Sequence, residues 1–283
     1  MSLNHEVTYP EGAVKVLDKG FVKLVDVMGD DSSIVQAARV SYGNGTKSVN
    51  EDEGLIRYLM RHQHTTPFEM VEFKFHCRMP IFVARQWIRH RTANVNEMSA
   101  RYSEMPDWFY EPGPESLTSQ SAQNKQGGTG EPVARASEFA PTFVATQREA
   151  YANYEAYLAD NMRREVARIN LPVSLYTEWY WKIDLHNLFH FLHLRLDTHA
   201  QYEIRVFAEA MAELVKARLP IAWKAFEDYQ LNSVKFSGPE MRVLTQILAG
   251  TAVKLDGEIK NKRERAEFLE KLTSLGYPSE RLS

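Results

Sequence analysis

"VEFKFHCRM" (71–79) is the stretch that decides the fold. Val71, Phe73, Phe75, Cys77 and Met79 alternate with Glu72, Lys74, His76 and Arg78. That period of two is what a strand with one buried face requires. Upstream, "AVKVLDKGFVKLVDVM" (13–28) reads as two short strands around Lys19-Gly20. "DDSSIVQAARV" (30–40) places capping residues ahead of a helical pattern, and "EDEGLIRYLMRH" (51–62) is a second helix, with a turn at Thr66-Pro67. Helical patterns return over 141–160, 163–170 and, as one long helix, 184–219, which Pro220 stops. Past Tyr229 a charged tail carries two further helices. Strands first and helices later predict an α+β fold with a helical C-terminal extension, divided as 1–230 and 231–283. Residues 111–132, rich in Gly, Pro, Ser and Gln with little to bury, read as a loop or flexible insertion.

The formal net charge of -3 argues against a general nucleic-acid or membrane binder, so any basic feature is local, as a small-anion site would be. No apolar run approaches the roughly 20 residues of a membrane helix, and the N-terminus lacks the pattern of a signal peptide. With 1 cysteine, no intramolecular disulfide forms. A cytoplasmic protein is expected.

The local basic feature is "RHRTANVNEMSARY" (89–102). Pro80 suits the first turn of a helix, wound here to about His90. Arg85, Gln86, Arg89 and His90 then share one side with Phe82, opposite Val83, Ala84, Trp87 and Ile88. Beyond it a loop delivers Glu97, Ser99 and Arg101. A solvated helix face is the ordinary reading of such charge. However, no acid appears between Pro80 and Glu97, and arginine, the fork that grips phosphate, outnumbers lysine there. A bound phosphate or pyrophosphate explains this better.

In "DLHNLFHFLHLRLDTHA" (184–200), His186, His190, His193 and Asp197 form one stripe of a helix, opposite Leu185, Leu188, Phe189, Leu192 and Leu196. Histidines four apart can hold a metal. The zinc-protease motif, however, has a glutamate where Asn187 stands, so a polar helix face is the plainer reading and no metal is assigned. Arg195 lies towards the apolar side and cannot shed its proton, so it needs an anionic or carbonyl-rich partner; a structural salt bridge would also satisfy it. His199 shares its direction. Cys77, on the apolar face of the strand, reads as a core residue rather than a nucleophile.

The segment "RHRTANVNEMS" fits the R-H-R, seven residues, S signature of the flavin-dependent thymidylate synthases, and the chain resembles that family over most of its length. Matching blocks include "LDKGFVKLVDVMGDD", "AARVSY", "HQHTTPFEM", "PIFVARQWIRHR", "REVARINLPVSLYTEWYW" and "LHLRLDTHAQYEIR". Asn94 stands where serine is common in the family, and residues 111–132 and the tail lie outside the likeness.

The resemblance implies an α+β fold with an antiparallel or mixed sheet and long helices. It implies methylation of dUMP to dTMP, with 5,10-methylenetetrahydrofolate as carbon donor, FAD as hydride carrier and NADPH as reductant. It places the nucleotide on Gln86, Arg89, Glu97, Met98, Ser99, Ala100, Arg101 and Arg168, with Arg195 at the uracil edge favouring ionisation at N3. Ser99 serves there to position the nucleotide. It places the flavin on Ser41, His64, Thr66, Arg89, His90, Arg91 and Glu97, and on Asp184, His186 and His190, where the family often has asparagine or arginine. Because the histidine stripe and Arg195 point to opposite sides of one helix, sites shared between subunits are expected, and the family is homotetrameric. Two other classes stay open on the residues alone: a helical histidine-metal hydrolase and a non-enzymatic nucleotide-binding module.

Overall fold

The alternation at 71–79 does form a strand, near the middle of a sheet. A computed structural model describes residues 5–40, 49–121, 127–251 and 253–278. Among them run β1 (Val14–Val16), β2 (Gly20–Met28), β3 (Glu72–Pro80), β4 (Asn94–Glu97), β5 (Thr118–Gln120), β6 (Gly128–Pro132) and β7 (Tyr176–Asp184). Five of these join in the order β1-β2-β3-β7-β4, and every neighbouring pair is antiparallel. The long pairing is β3 with β7, in register from Glu72 opposite Asp184 to Pro80 opposite Tyr176.

The helices are α1 (Asp31–Val40), α2 (Val49–Arg61), α3 (Ile81–Trp87), α4 (Ala136–Ala159), α5 (Arg164–Ala167), α6 (Leu185–Arg195), α7 (Tyr202–Arg218), α8 (Pro220–Phe226), α9 (Gly238–Leu248), α10 (Leu255–Glu258) and α11 (Lys262–Ser274). The fold is therefore α+β. The chain divides into two compact units, Met1–Gln230 and Leu231–Ser283. In the second, α9, α10 and α11 close over Val243, Leu255, Ile259, Phe268 and Leu272. Ser237 and Glu240 form a capping box there, and Glu240 also accepts from Lys271 Nζ at 2.7 Å.

In the first unit, Phe73, Phe75, Cys77 and Met79 of β3 and Trp179, Trp181 and Ile183 of β7 are buried, as period two demands. Trp87, at the end of α3, is the hub of this core. Its ring meets Trp179 edge-on at 5.4 Å and Trp181 at 5.3 Å, and stacks on Phe191 of α6 at 5.0 Å. Truncating such an aromatic costs about 3–5 kcal/mol, so Trp87→Ala would loosen α3 and α6 from the sheet together. On the other sheet face, Arg78 is 4% exposed yet satisfied. It donates to Glu178 at 3.0 Å and to the carbonyls of Lys19 and Thr8, with Trp108 stacked at 4.3 Å. Gly20 is required by close approach, since a Cβ there would lie 2.7 Å from Val16 O and 2.8 Å from Arg78 O.

Five expectations change. The tail, expected to carry two helices, carries three among the described residues, because the single turn α10 stands between the two long ones. The helix expected over 184–219 is two: α6 stops at Arg195 and α7 starts at Tyr202. Asp197 causes the break, since its carboxylate accepts the backbone N–H of His199 at 2.7 Å, offering the chain an alternative to the helical ladder. The helix from Pro80 ends at Trp87, and Arg89 and His90 follow in tight turns onto Gln86 O and Trp87 O. Glu97 lies on the edge strand β4, not in a loop. Residues 111–132 are not wholly irregular: β5 and β6 pair there, after a single 3₁₀ turn at Pro114–Ser116.

Candidate active site

The residues singled out in the sequence fall into three groups. The first hangs on the edge of β7. Glu97 accepts the Thr177 hydroxyl at 2.6 Å, and Met98 N–H donates to Glu178 O at 2.8 Å, extending the ladder past β4. The chain then turns, with the amides of Tyr102 and Ser103 both donating to Ser99 O at 3.1 Å. Ala100 is buried beside Met105, Tyr154 and Leu175, which anchors this turn to the core. Arg101 donates to Glu165 at 2.7 Å, an exposed pair worth under about 1 kcal/mol. Arg168 follows α5 directly, half-buried.

The second group lies where the ends of α3 and α6 meet. Gln86 of α3 donates to the Gln201 amide oxygen. Arg195 Nε donates to His90 Nε2 at 3.2 Å, and His190 lies 6.1 Å from the His90 ring. Burial foremost, then the charges of Arg195 and His190, lowers the His90 pKa to about 4, so the ring is neutral and able to accept. Burial also lowers the pKa of Arg195 from its ordinary value. Among the described residues no carboxylate pairs with Arg195, Arg89 or Arg91. Arg89 and Arg91 are exposed. Gln86 and Arg195 also line a cavity of about 590 Å³, to which neither Glu97 nor Arg101 contributes. Glu97 and Met98 line a separate one of about 260 Å³.

The third group is the turn before β3 and the start of α6. His64 and Thr66 are exposed, with the His64 ring 5.8 Å from Tyr58 and 6.5 Å from His62. Asp184 caps α6: its oxygens accept Asn187 N–H at 2.9 Å and Asn187 Nδ2 at 2.7 Å. His186 is half-buried and His190 exposed. Ser41 lies outside the described residues.

Two inferences drawn from a continuous helix do not survive. The stripe of His186, His190, His193 and Asp197 is cut, because Asp197 lies beyond the end of α6. Among the described residues no three His, Cys, Asp or Glu side chains stand close enough to hold a metal ion. Nor do His190 and Arg195 face opposite ways, since both approach one histidine, His90. Arg195 and Glu97 line different cavities of the chain. Cys77 is fully buried, and burial, helped by the charge of Glu178, pushes its thiol well above the ordinary range.

Thr177, Gln201 and His199 stand beside these residues without being marked in the sequence as candidates. A threonine on the otherwise apolar buried side of β7 was a signal that a polar partner lay nearby. Gln201 and His199 depend on the break after α6, which periodicity does not reveal.

A profile of the family described as thymidylate synthase complementing protein matches residues 23–221. A flavin-dependent thymidylate synthase of Ruegeria pomeroyi is 57% identical over 261 residues, covering 89% of this chain and 85% of that protein. One from Thermus thermophilus is 58% identical over 235 residues, covering 83% and 86%. Among solved structures, the UMP/dUMP methylase PolB from Streptomyces cacaoi, bound with 5-Br dUMP, superposes with a TM-score of 0.69 at 33% identity, covering 78% of this chain and 100% of that one. A fold built on this antiparallel sheet, with an arginine-rich turn beside it, is thus a nucleotide-methylating enzyme fold. The chain belongs to the flavin-dependent thymidylate synthases.

Proposed function

We propose that this protein converts dUMP to dTMP, taking the one-carbon unit from 5,10-methylenetetrahydrofolate and using FAD reduced by NADPH. The observation that carries the reading is Arg195: half-buried, without a carboxylate partner among the described residues, and held by a neutral histidine. Such a charge is free to act on a ligand instead of stabilising the fold. Placed at the uracil edge it favours ionisation at N3, which makes C5 the better nucleophile.

The residues present suit the anions involved. Arg89 and Arg91, exposed and without acid partners among the described residues, offer forked donors to the FAD pyrophosphate. His64, Thr66, His90, His186 and His190 line the remainder of that site in this reading, and Asp184 contributes by holding the start of α6. When bound and reduced, FAD supplies the hydride that completes the methyl group. Gln86, Arg101 and Arg168 hold the nucleotide, with Ser99 and the backbone at Met98 and Ala100 fixing its position. Glu97, aimed by Thr177, accepts from the nucleotide.

In this reading the complete site draws on more than one subunit of a homotetramer, with which the placement of Arg195 and Glu97 on different cavities of one chain is consistent. No helix among the described residues is long and apolar enough to cross a membrane; a cytoplasmic location accords with the substrates. An absorption spectrum of the purified protein after incubation with FAD tests the reading. A bound-flavin band, about one per chain, is expected; folded protein without one sinks it.

A further inference from the structure

His199 has no part in the roles set out above, yet it shares the wall of the 590 Å³ cavity with Arg195 and Gln86. It sits in the irregular segment between α6 and α7, and the residue that breaks the helix is the one that holds it. Asp197 Oδ1 accepts the His199 backbone N–H at 2.7 Å and lies 2.8 Å from its ring Nδ1. A carboxylate at Nδ1 keeps the neutral ring's proton on that nitrogen and leaves the Nε2 lone pair available. The side chain is 72% exposed, and no hydrogen bond joins Nε2 to another described residue. An oriented imidazole with a free basic nitrogen, in the cavity of the charge assigned to the uracil ring, is a proton acceptor in position.

We propose that His199, positioned by Asp197, takes the proton from uracil C5. The proposal rests on the function proposed above. When C5 attacks the one-carbon unit, the ring C5–C6 π pair forms the new carbon–carbon bond, and C5 then carries both its hydrogen and the new substituent. Breaking the C5–H bond returns that electron pair to the C5–C6 bond and delivers the proton to His199 Nε2. The imidazolium so formed faces the Asp197 carboxylate through Nδ1–H, and then releases its proton to solvent. No external oxidant or reductant enters this step. The titratable and charged groups around His199 are Asp197 on its own segment, His193 and Arg195 in the same cavity, and Glu115, Glu203 and Arg205 in a further cavity of about 850 Å³ that His199 also lines.

The test uses full-length protein loaded with FAD and measures tritium release from 5-tritiated dUMP alongside flavin reduction by NADPH. His199→Ala should lower single-turnover tritium release by about 100-fold, the scale of a general base, with flavin reduction unchanged. Asp197→Asn should shift the acid limb of the tritium-release pH profile, because the neutral amide no longer supports the imidazolium. In nitrogen-15 spectra, dUMP alone should perturb the His199 ring signals, a readout independent of turnover. Tritium release by His199→Ala at the wild-type rate overturns the proposal. So does equal slowing of both half-reactions, which would mark a structural role. Absence of tritium release from the wild-type protein removes the underlying function as well, so the two failures are distinguishable.

Discussion

Arg195 Nε donates to His90 Nε2 at 3.2 Å, and this one contact sets the state of both side chains. A guanidinium can only donate, so His90 must present a bare Nε2 and carry its proton on Nδ1. Burial foremost, and then the repulsion that protonation would set up with Arg195 and His190, holds the His90 pKa at about 4, and protonation would also remove the acceptor.

Stability should therefore fall in mild acid. An unfolded His90 titrates near 6.5, the ordinary value of a histidine, whereas the folded one stays neutral down to about 4. Between these values the unfolded chain binds more protons, so stability is lost as pH falls through that window, the loss being complete below about pH 4. Replacing His90 with glutamine keeps an acceptor that does not titrate. Urea midpoints at about pH 7 and about pH 5 should drop further for the wild type than for the variant; equal drops would show that His90 is protonated in the folded state.

Arg195→Lys keeps a charge but loses the planar fork. Fold, bound FAD and flavin reduction by NADPH should survive, because that half-reaction does not need an ionised uracil. Methyl transfer should fall by at least about 100-fold, the scale of one preorganised electrostatic donor. Stopped-flow spectroscopy separates the halves. If both slow equally, Arg195 is a structural charge.

Much of this was legible in the sequence, for physical reasons. Alternation from Val71 to Met79 reports a strand with one dry face directly, and the lack of acids between Pro80 and Glu97 points to the arginines that the structure leaves without carboxylate partners among the described residues. The break after Arg195 was not legible, because leucine and phenylalanine spacing runs through it. Only the contact of Asp197 with the His199 amide shows where the helix yields. The edge strand at Asn94–Glu97 was hidden for a related reason: its polar side chains are largely exposed, and backbone pairing to β7 makes it a strand without an apolar pattern.

Cys77→Ala should remain active, with stability lower by about 1 kcal/mol, typical of a point change. The native thiol, buried and pushed up in pKa, should resist thiol reagents until the protein is unfolded. Loss of turnover in a variant with unchanged melting and flavin content would contradict this.

Shared sites can be tested by mixing. An inactive Arg195 variant and an inactive Arg101 variant, changed in separate parts of the chain, should together regain part of the activity through hybrid tetramers. A monomeric mass by light scattering under active conditions would contradict the shared site.

In the function proposed, flavin oxidation and methylation of dUMP are one reaction. The direct measurement is anaerobic: reduce the FAD-loaded protein with NADPH, remove excess reductant, then add dUMP and methylenetetrahydrofolate together. The oxidised flavin band should return with one dTMP formed per flavin, and neither substrate alone should restore it. Recovery of the band without dTMP, or dTMP formed while the flavin stays reduced, would contradict the proposed function.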